Sequence, residues 1–126
     1  MELIIGGAYQ GKLDYARSKY PEAPVIQCDE YTPELDLPEG ACIINAFHLF
    51  LLARIHAGLD PLELQDSLLA ALDNKIIVCD DISCGIVPLS HETRLWREAA
   101  GRCLVRISMR ADTVTRVFCG IASALK

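Results

Sequence analysis

The sequence predicts one α/β domain over residues 1–126, built on a mainly parallel sheet with helices on both faces. Three observations predict it. Short apolar runs alternate with helical segments along the whole chain, the pattern of βαβ units. One run, KIIVCDD (75–81), is apolar almost throughout, as expected of a central parallel strand covered on both sides. The first run, ELIIGG, ends in glycines and passes directly into helix formers, so a strand, a loop and a helix follow one another at the start.

Each element has its own signal. The helix GKLDYARSKY is stopped by Pro21. PVIQCDEY and ACIINA are two further short strands. They are separated by TPELDLPEG, whose prolines, glycine and acidic residues mark a surface loop. Residues 46 to 57 form a mostly apolar helix. A second helix is signalled by Asp60 as N-cap, Pro61 at the first helical position and Glu63 three residues after the cap, and runs to about Leu72. A long helix follows from about Ser90 to Arg110, where Leu95, Ala99, Cys103 and Ile107 recur every four residues and define a buried face. TVTRVFCGI is the last strand.

Composition narrows the function classes. With 52% hydrophobic and 23% charged residues the chain is globular, and its 126 residues suffice to bury roughly two-thirds of the unfolded surface. A net charge of −5 disfavours nucleic acid and acidic lipid, which require a cationic surface. Cysteines 28, 42, 79, 84, 103 and 119 form no CxxC pair, and those at 28, 42, 79 and 119 sit in or beside strand-like runs. They are expected to be small buried hydrophobes, not a disulfide framework or zinc site. No metal-ligand set is assigned. The apolar run ACIINAFHLFLLARIHAG, interrupted by Asn45, His48 and Arg54, is too short to span a bilayer. The opening MELIIGG, an acidic residue and a strand where a signal peptide has a basic region, fits a reducing cytoplasm.

The residues that point to chemistry lie first in IIGGAYQGKLDYA. Gly6, Gly11 and Lys12 stand in register with G-x-x-x-x-G-K-[ST], between a strand and a helix. Gly6, Gly7, Ala8, Tyr9, Gln10, Gly11, Lys12 and Leu13 therefore form a candidate cradle for a nucleotide or phosphate. Leu13 falls where a hydroxyl would ligate Mg²⁺, and Asn45 ends ACIIN where a carboxylate would help hold it. Two missing metal contacts predict weak or absent Mg²⁺ binding. Asp80 and Asp81, ending KIIVCDD, can substitute, since strand carboxyl ends line the ligand crevice of such a sheet. Lys12 and Asp81 are the catalytic candidates. His48 and His56, eight residues apart on one helix, are expected to be satisfied core or edge histidines, and His91 to face solvent. Arg94 and Arg97 share a helix face, free to neutralise a phosphate or to pair with Glu98.

From residue 75 onward the pattern resembles the adenosylcobinamide kinase / adenosylcobinamide-phosphate guanylyltransferase family of cobalamin biosynthesis. That family carries an N-terminal GGxRSGKS loop, a strand ending in N-E-V-G-x-G-I-V-P, an F-R-D-x-x-G-R-x-N helix and a final V-x-G-I strand. Gly85, Ile86, Val87 and Pro88 match the G-I-V-P that ends the strand motif. Arg97, Glu98, Gly101 and Arg102 match the helix with one conservative change, and Val117, Gly120 and Ile121 match the last strand. The resemblance implies a P-loop NTPase-like (RecA-like) sheet, ATP or GTP as the nucleotide, a corrinoid partner and assembly into a homo-oligomer.

The chain also departs from that family. Tyr9 and Gln10 replace the Arg-Ser of the loop, Leu13 its last serine, and Asn45 its second-strand glutamate. The family asparagine and glutamate before V-G-x-G fall on Asp80 and Asp81. The family's guanylylated histidine lies on a helix for which this chain has only residues 21 to 40, which contain no histidine. The expected protein is a diverged homologue that binds a nucleotide or phosphate with weak or no catalysis and no guanylyl transfer. An active adenosylcobinamide kinase using Asp80 or Asp81 for the metal is one alternative, and a non-catalytic scaffold is another.

Overall fold

A computed structural model describes residues 1–60, 66–83 and 89–126. β1 (Glu2–Gly6), β2 (Val25–Gln27), β3 (Ile43–Asn45), β4 (Ile76–Asp80), β5 (Thr113–Phe118) and β6 (Ile121–Ala124) form one sheet in the order β2-β3-β4-β1-β5-β6. β1 lies at its middle, parallel to β4 on one side and β5 on the other, so that Ile4 stands between Val78 and Thr115. β2, β3 and β4 continue the parallel set, and β6 runs antiparallel to β5. Between the strands lie α1 (Lys12–Lys19), α2 (Phe47–His56), α3 (Asp66–Ala71) and α4 (His91–Arg110).

The near-continuous apolar strands read as they do because neighbouring residues feed different cores. Ile4, Ile43, Ile76, Val78 and Val117 point to the face covered by α1, where Ala16 is fully buried. Leu3, Ile44, Ile77 and Cys79 point to the opposite face, where Phe47, Phe50 and Leu51 of α2 and Ala100, Cys103 and Ile107 of α4 cover them. Helices thus lie on both faces, and the larger core is the one under α2 and α4. α4 is the four-residue stripe laid against the sheet, its start capped by the Ser90 hydroxyl, which accepts from the Thr93 amide at 3.4 Å.

Polar ties fix the ends. Buried Glu2 accepts from Lys19 at 3.0 Å and from the Tyr20 hydroxyl, anchoring the end of α1 to the first residue of β1. The acidic loop between β2 and β3 is held by buried Lys75, whose ammonium donates to the carbonyls of Pro38 (2.7 Å) and Gly40 (2.6 Å). Burial pushes the thiols of Cys28 and Cys103 up to about 12 and that of Cys79 higher, so all three behave as apolar side chains.

Two features differ from the sequence reading. TVTRVFCGI is not one strand: the chain turns at Cys119 and Gly120, with φ of 50° and 77°, and comes back as β6. Positive φ at both central residues is the hairpin turn whose twist matches antiparallel strands, and Gly120 takes it without strain. Cys119 accordingly sits exposed at the turn instead of buried in a strand. The helix start at Pro61 and Glu63, the residue Cys84 and the matched segment Gly85, Ile86, Val87 and Pro88 lie outside the described residues. Among the described residues no helix is long and apolar enough to cross a membrane.

Phe47 is fully buried, with its ring 5.3 Å from that of Phe50. Replacing Phe47 by Ala should lower unfolding free energy by about 3–5 kcal/mol, read from the denaturant midpoint at unchanged slope. A loss below 1 kcal/mol would mean that α2 is not a core element.

Candidate functional site

Sheet order places the site. From β1 the chain crosses through α1 on one face towards β2, whereas from β4 it crosses through α4 on the other face to β5. β1 and β4 are neighbours whose following helices diverge, which opens a crevice at their carboxyl ends. A cleft of about 690 Å³ lies there, lined by the loop residues Ala8 to Leu13, by Gln27, Asn45 and Asp80 from the ends of the neighbouring strands, and by His48 from the first turn of α2.

The loop owes its shape to residues with little or no side chain. A Cβ on Gly6 would collide with the carbonyl oxygen of Val117 on β5, so only glycine lets β1 end this close to its neighbour. Gly11, at φ 91°, turns the chain into α1 and offers no capping side chain to the first-turn amides. Tyr9 (φ 58°) projects fully into solvent, and Ala46, the N-cap of α2, is also at φ 58°. Such left-handed non-glycine residues cost on the order of 1 kcal/mol each, and here two of them border one cleft. Gln10 ties the loop to the β5–β6 turn: its side-chain oxygen accepts from the Cys119 amide at 2.7 Å and its carbonyl from the Gly120 amide at 2.9 Å.

Lys12 opens α1 yet is only 6% exposed, although it lines the cleft. It donates to the Gly7 carbonyl at 2.5 Å and pairs with the Asp80 carboxylate at 2.7 Å. The second Asp80 oxygen lies 3.6 Å from His48 Nε2, while the Asp80 amide donates to His48 Nδ1 at 3.2 Å. Nδ1 is therefore the unprotonated nitrogen. Burial pulls the His48 pKa down and the Lys12 charge adds to this, against the opposing pull of Asp80, so the ring is held neutral with its proton on Nε2. Lys12, Asp80 and His48 thus meet at one point although they come from α1, β4 and α2.

Asp81 faces elsewhere. Its amide donates to the Gly6 carbonyl at 2.9 Å, and its carboxylate accepts from the amide and hydroxyl of Ser83. Asn45 donates to the Gln27 side-chain oxygen at 2.7 Å on the cleft wall. Arg97 donates to the Ser83 carbonyl and Arg94 to that of Leu89, and Glu98 pairs with Arg102 at 2.8 Å. His91 is exposed at the start of α4. His48 and His56 have partners, as satisfied histidines would, but helical spacing does not mark His48 as bordering the cleft. Only its place three residues beyond a strand end hinted at it.

The sheet, the glycine-rich loop and the helix entered directly from it define an α/β protein of the P-loop NTPase-like class. The chain belongs to the cobinamide kinase / cobinamide phosphate guanyltransferase family, whose model matches residues 48–125. The match takes in His48, Asp80 and α4, while the loop at 6–13 precedes it. No curated protein matches the chain.

Beside the cleft, His56 joins α2 to two other segments. Nδ1 lies 3.0 Å from the Glu30 carbonyl and Nε2 3.0 Å from a Glu92 carboxylate oxygen. Both partners are acceptors, so the doubly protonated ring satisfies them, and the Glu30 carbonyl, followed by Glu92, raises the pKa above the ordinary 6.5. A raised folded-state pKa stabilises fully below the unfolded value and is lost as pH rises through the folded one. The difference in denaturant midpoint between the native chain and His56→Gln should therefore be largest below about pH 6.5 and shrink above it. A difference independent of pH would show that the ring is not charged in this contact.

Proposed function

We propose that this chain is a diverged cobinamide-kinase-like protein of cobalamin biosynthesis. It binds the phosphates of a nucleotide, ATP or GTP, or another phosphate ligand at the Gly6–Leu13 loop, with weak or no catalysis and no guanylyl transfer. The observation that carries the reading is Lys12: a buried ammonium at the mouth of a glycine loop and at the start of a helix, facing an open cleft. First-turn amides and a lysine are what a phosphate group needs, and strain at Tyr9 and Ala46 around the same cleft supports a binding role. A corrinoid as the second ligand and self-assembly belong to the same reading through the family.

The donor set does not fit Mg²⁺. The Leu13 side chain has no oxygen, Asn45 is neutral and already bonded to Gln27, and the Asp80 carboxylate is engaged by Lys12. An active kinase is the second reading. What favours it is the carboxylate that stands beside the loop lysine, on Asp80 and not on Asp81, whose own carboxylate is turned to Ser83.

Melting curves with ATP or GTP, with and without Mg²⁺, test both readings. Ligand at a hundred times its Kd should add about 2.7 kcal/mol, a rise of several degrees. The gain should not need Mg²⁺ and should vanish in Lys12→Met. A gain only with Mg²⁺ would favour the kinase, and no gain with any nucleotide or with inorganic phosphate would leave a scaffold.

Guanylyl transfer through histidine requires a covalent phosphoramidate, and the interval from residue 21 to 40 supplies no histidine to carry it. Incubation with labelled GTP and Mg²⁺ should give no acid-labile, base-stable adduct. A stoichiometric adduct lost on changing His48, His56 or His91 would restore the transferase.

A further inference from the structure

We propose that His48, braced from behind by Trp96, is the positioning residue of this site: it sets the Asp80 carboxylate, which β4 already brings to the cleft, towards Lys12. The inference rests on the reading that the cleft takes a phosphate ligand, and it adds to that reading the part that aligns the charged pair.

Asp80 and Asp81 follow one another at the end of β4, where successive side chains point to opposite sides. Strand geometry alone leaves open how far the Asp80 carboxylate swings, because the side chain stands where the ladder ends. His48 removes that freedom at two atoms. Its Nδ1 accepts the Asp80 amide at 3.2 Å, and this fixes the tautomer. The Nε2 proton then faces the Asp80 carboxylate from 3.6 Å, an electrostatic approach longer than a hydrogen bond. With one oxygen drawn to His48, the other is presented to Lys12 at 2.7 Å.

The imidazole is itself held. Trp96, the one tryptophan of the chain, donates its indole N–H to the His48 carbonyl at 2.6 Å. Its ring lies over the imidazole at a centroid distance of 6.1 Å and an angle of 29°. The brace comes from the middle of α4, a rigid element whose neighbouring face is buried in the larger core. A core histidine that merely satisfied itself could divide its two nitrogens between any two partners. This one divides its two nitrogens between the amide and the carboxylate of a single residue and borders the cleft as well.

The test compares the native chain with His48→Phe, which keeps a ring on Trp96 but offers no polar atom, and His48→Gln, whose amide can reach the carboxylate as Nε2 does. Without ligand, the carbon resonances of the Asp80 carboxyl and the Lys12 side chain next to the ammonium should move in H48F and return towards native in H48Q. With inorganic phosphate or ATP as the probe, half-saturation read from Trp96 fluorescence should weaken about tenfold in H48F, equivalent to about 1.4 kcal/mol, and recover in H48Q. Resonances unmoved in H48F overturn the proposal, whatever the ligand does. Failure of the native chain to bind either probe, with the resonances moving as stated, removes the phosphate-binding reading and leaves the positioning role standing. Should H48F not fold, His48→Asn replaces it, since it retains an acceptor for the Asp80 amide and no group directed at the carboxylate. In that comparison H48N must differ from H48Q in the Asp80 resonance, and equality overturns the proposal.

Discussion

The cleft is organised around one buried ammonium. Removing a lysine charge from water costs several kcal/mol unless the protein supplies a countercharge and hydrogen bonds in its place. Lys12 obtains both, a carboxylate from Asp80 and a carbonyl from Gly7, and each demand constrains another element. The carbonyl must curl back over the helix start, which the glycines at 6, 7 and 11 permit. The carboxylate must stand at the end of the strand next to β1, which places β4 there. α2 then follows, because its His48 contacts that same aspartate, and α4 follows α2 through Trp96. The compensation of a single charge thus links four elements that are distant in the chain.

This arrangement relocates the acidic group relative to the family that the sequence resembles. There a glutamate at the end of the second strand and an asparagine at the end of the later one are the expected residues. Here those two positions carry Asn45 and Asp80, so of the two it is the one on β4 that holds the carboxylate. The exchange changes what the group faces. On β4 it lies against the loop lysine, and the amide left on β3 turns to Gln27 of β2. An ion pair within the cleft means that an entering anion meets a lysine already partnered. That pairing is the ground for the proposed binding role, together with Leu13, whose side chain has no hydroxyl.

The acidic segment between β2 and β3 is the other departure. It forms no helix, and the structure uses it as a strap. Lys75 holds its far end through the carbonyls of Pro38 and Gly40, and His56 holds its near end through the carbonyl of Glu30. Backbone carbonyls are acceptors that any sequence provides, so a loop rich in carboxylates is fastened by its main chain, with its acidic side chains largely left to solvent.

What the sequence determined alone is the layered α/β scaffold. Near-continuous apolar runs such as KIIVCDD, the Pro21 stop and the four-residue stripe through Ala99, Cys103 and Ile107 are local signals. They survive because both sheet faces are covered and nothing tertiary opposes them. The candidate loop was equally legible, since Gly6, Gly11 and Lys12 are close in sequence. Three things were decided by the tertiary structure. The turn at Cys119 and Gly120 split an apparently continuous strand, because the edge of β5 was open to a returning partner. Asp80, not its neighbour, met Lys12, because register against β1 sets which side chain stands over the loop. His48 joined them although its helical spacing marked an ordinary core residue. Contacts between residues 12, 48, 80 and 96 depend on strand order, and strand order arises from the packing of whole elements, which no local pattern encodes.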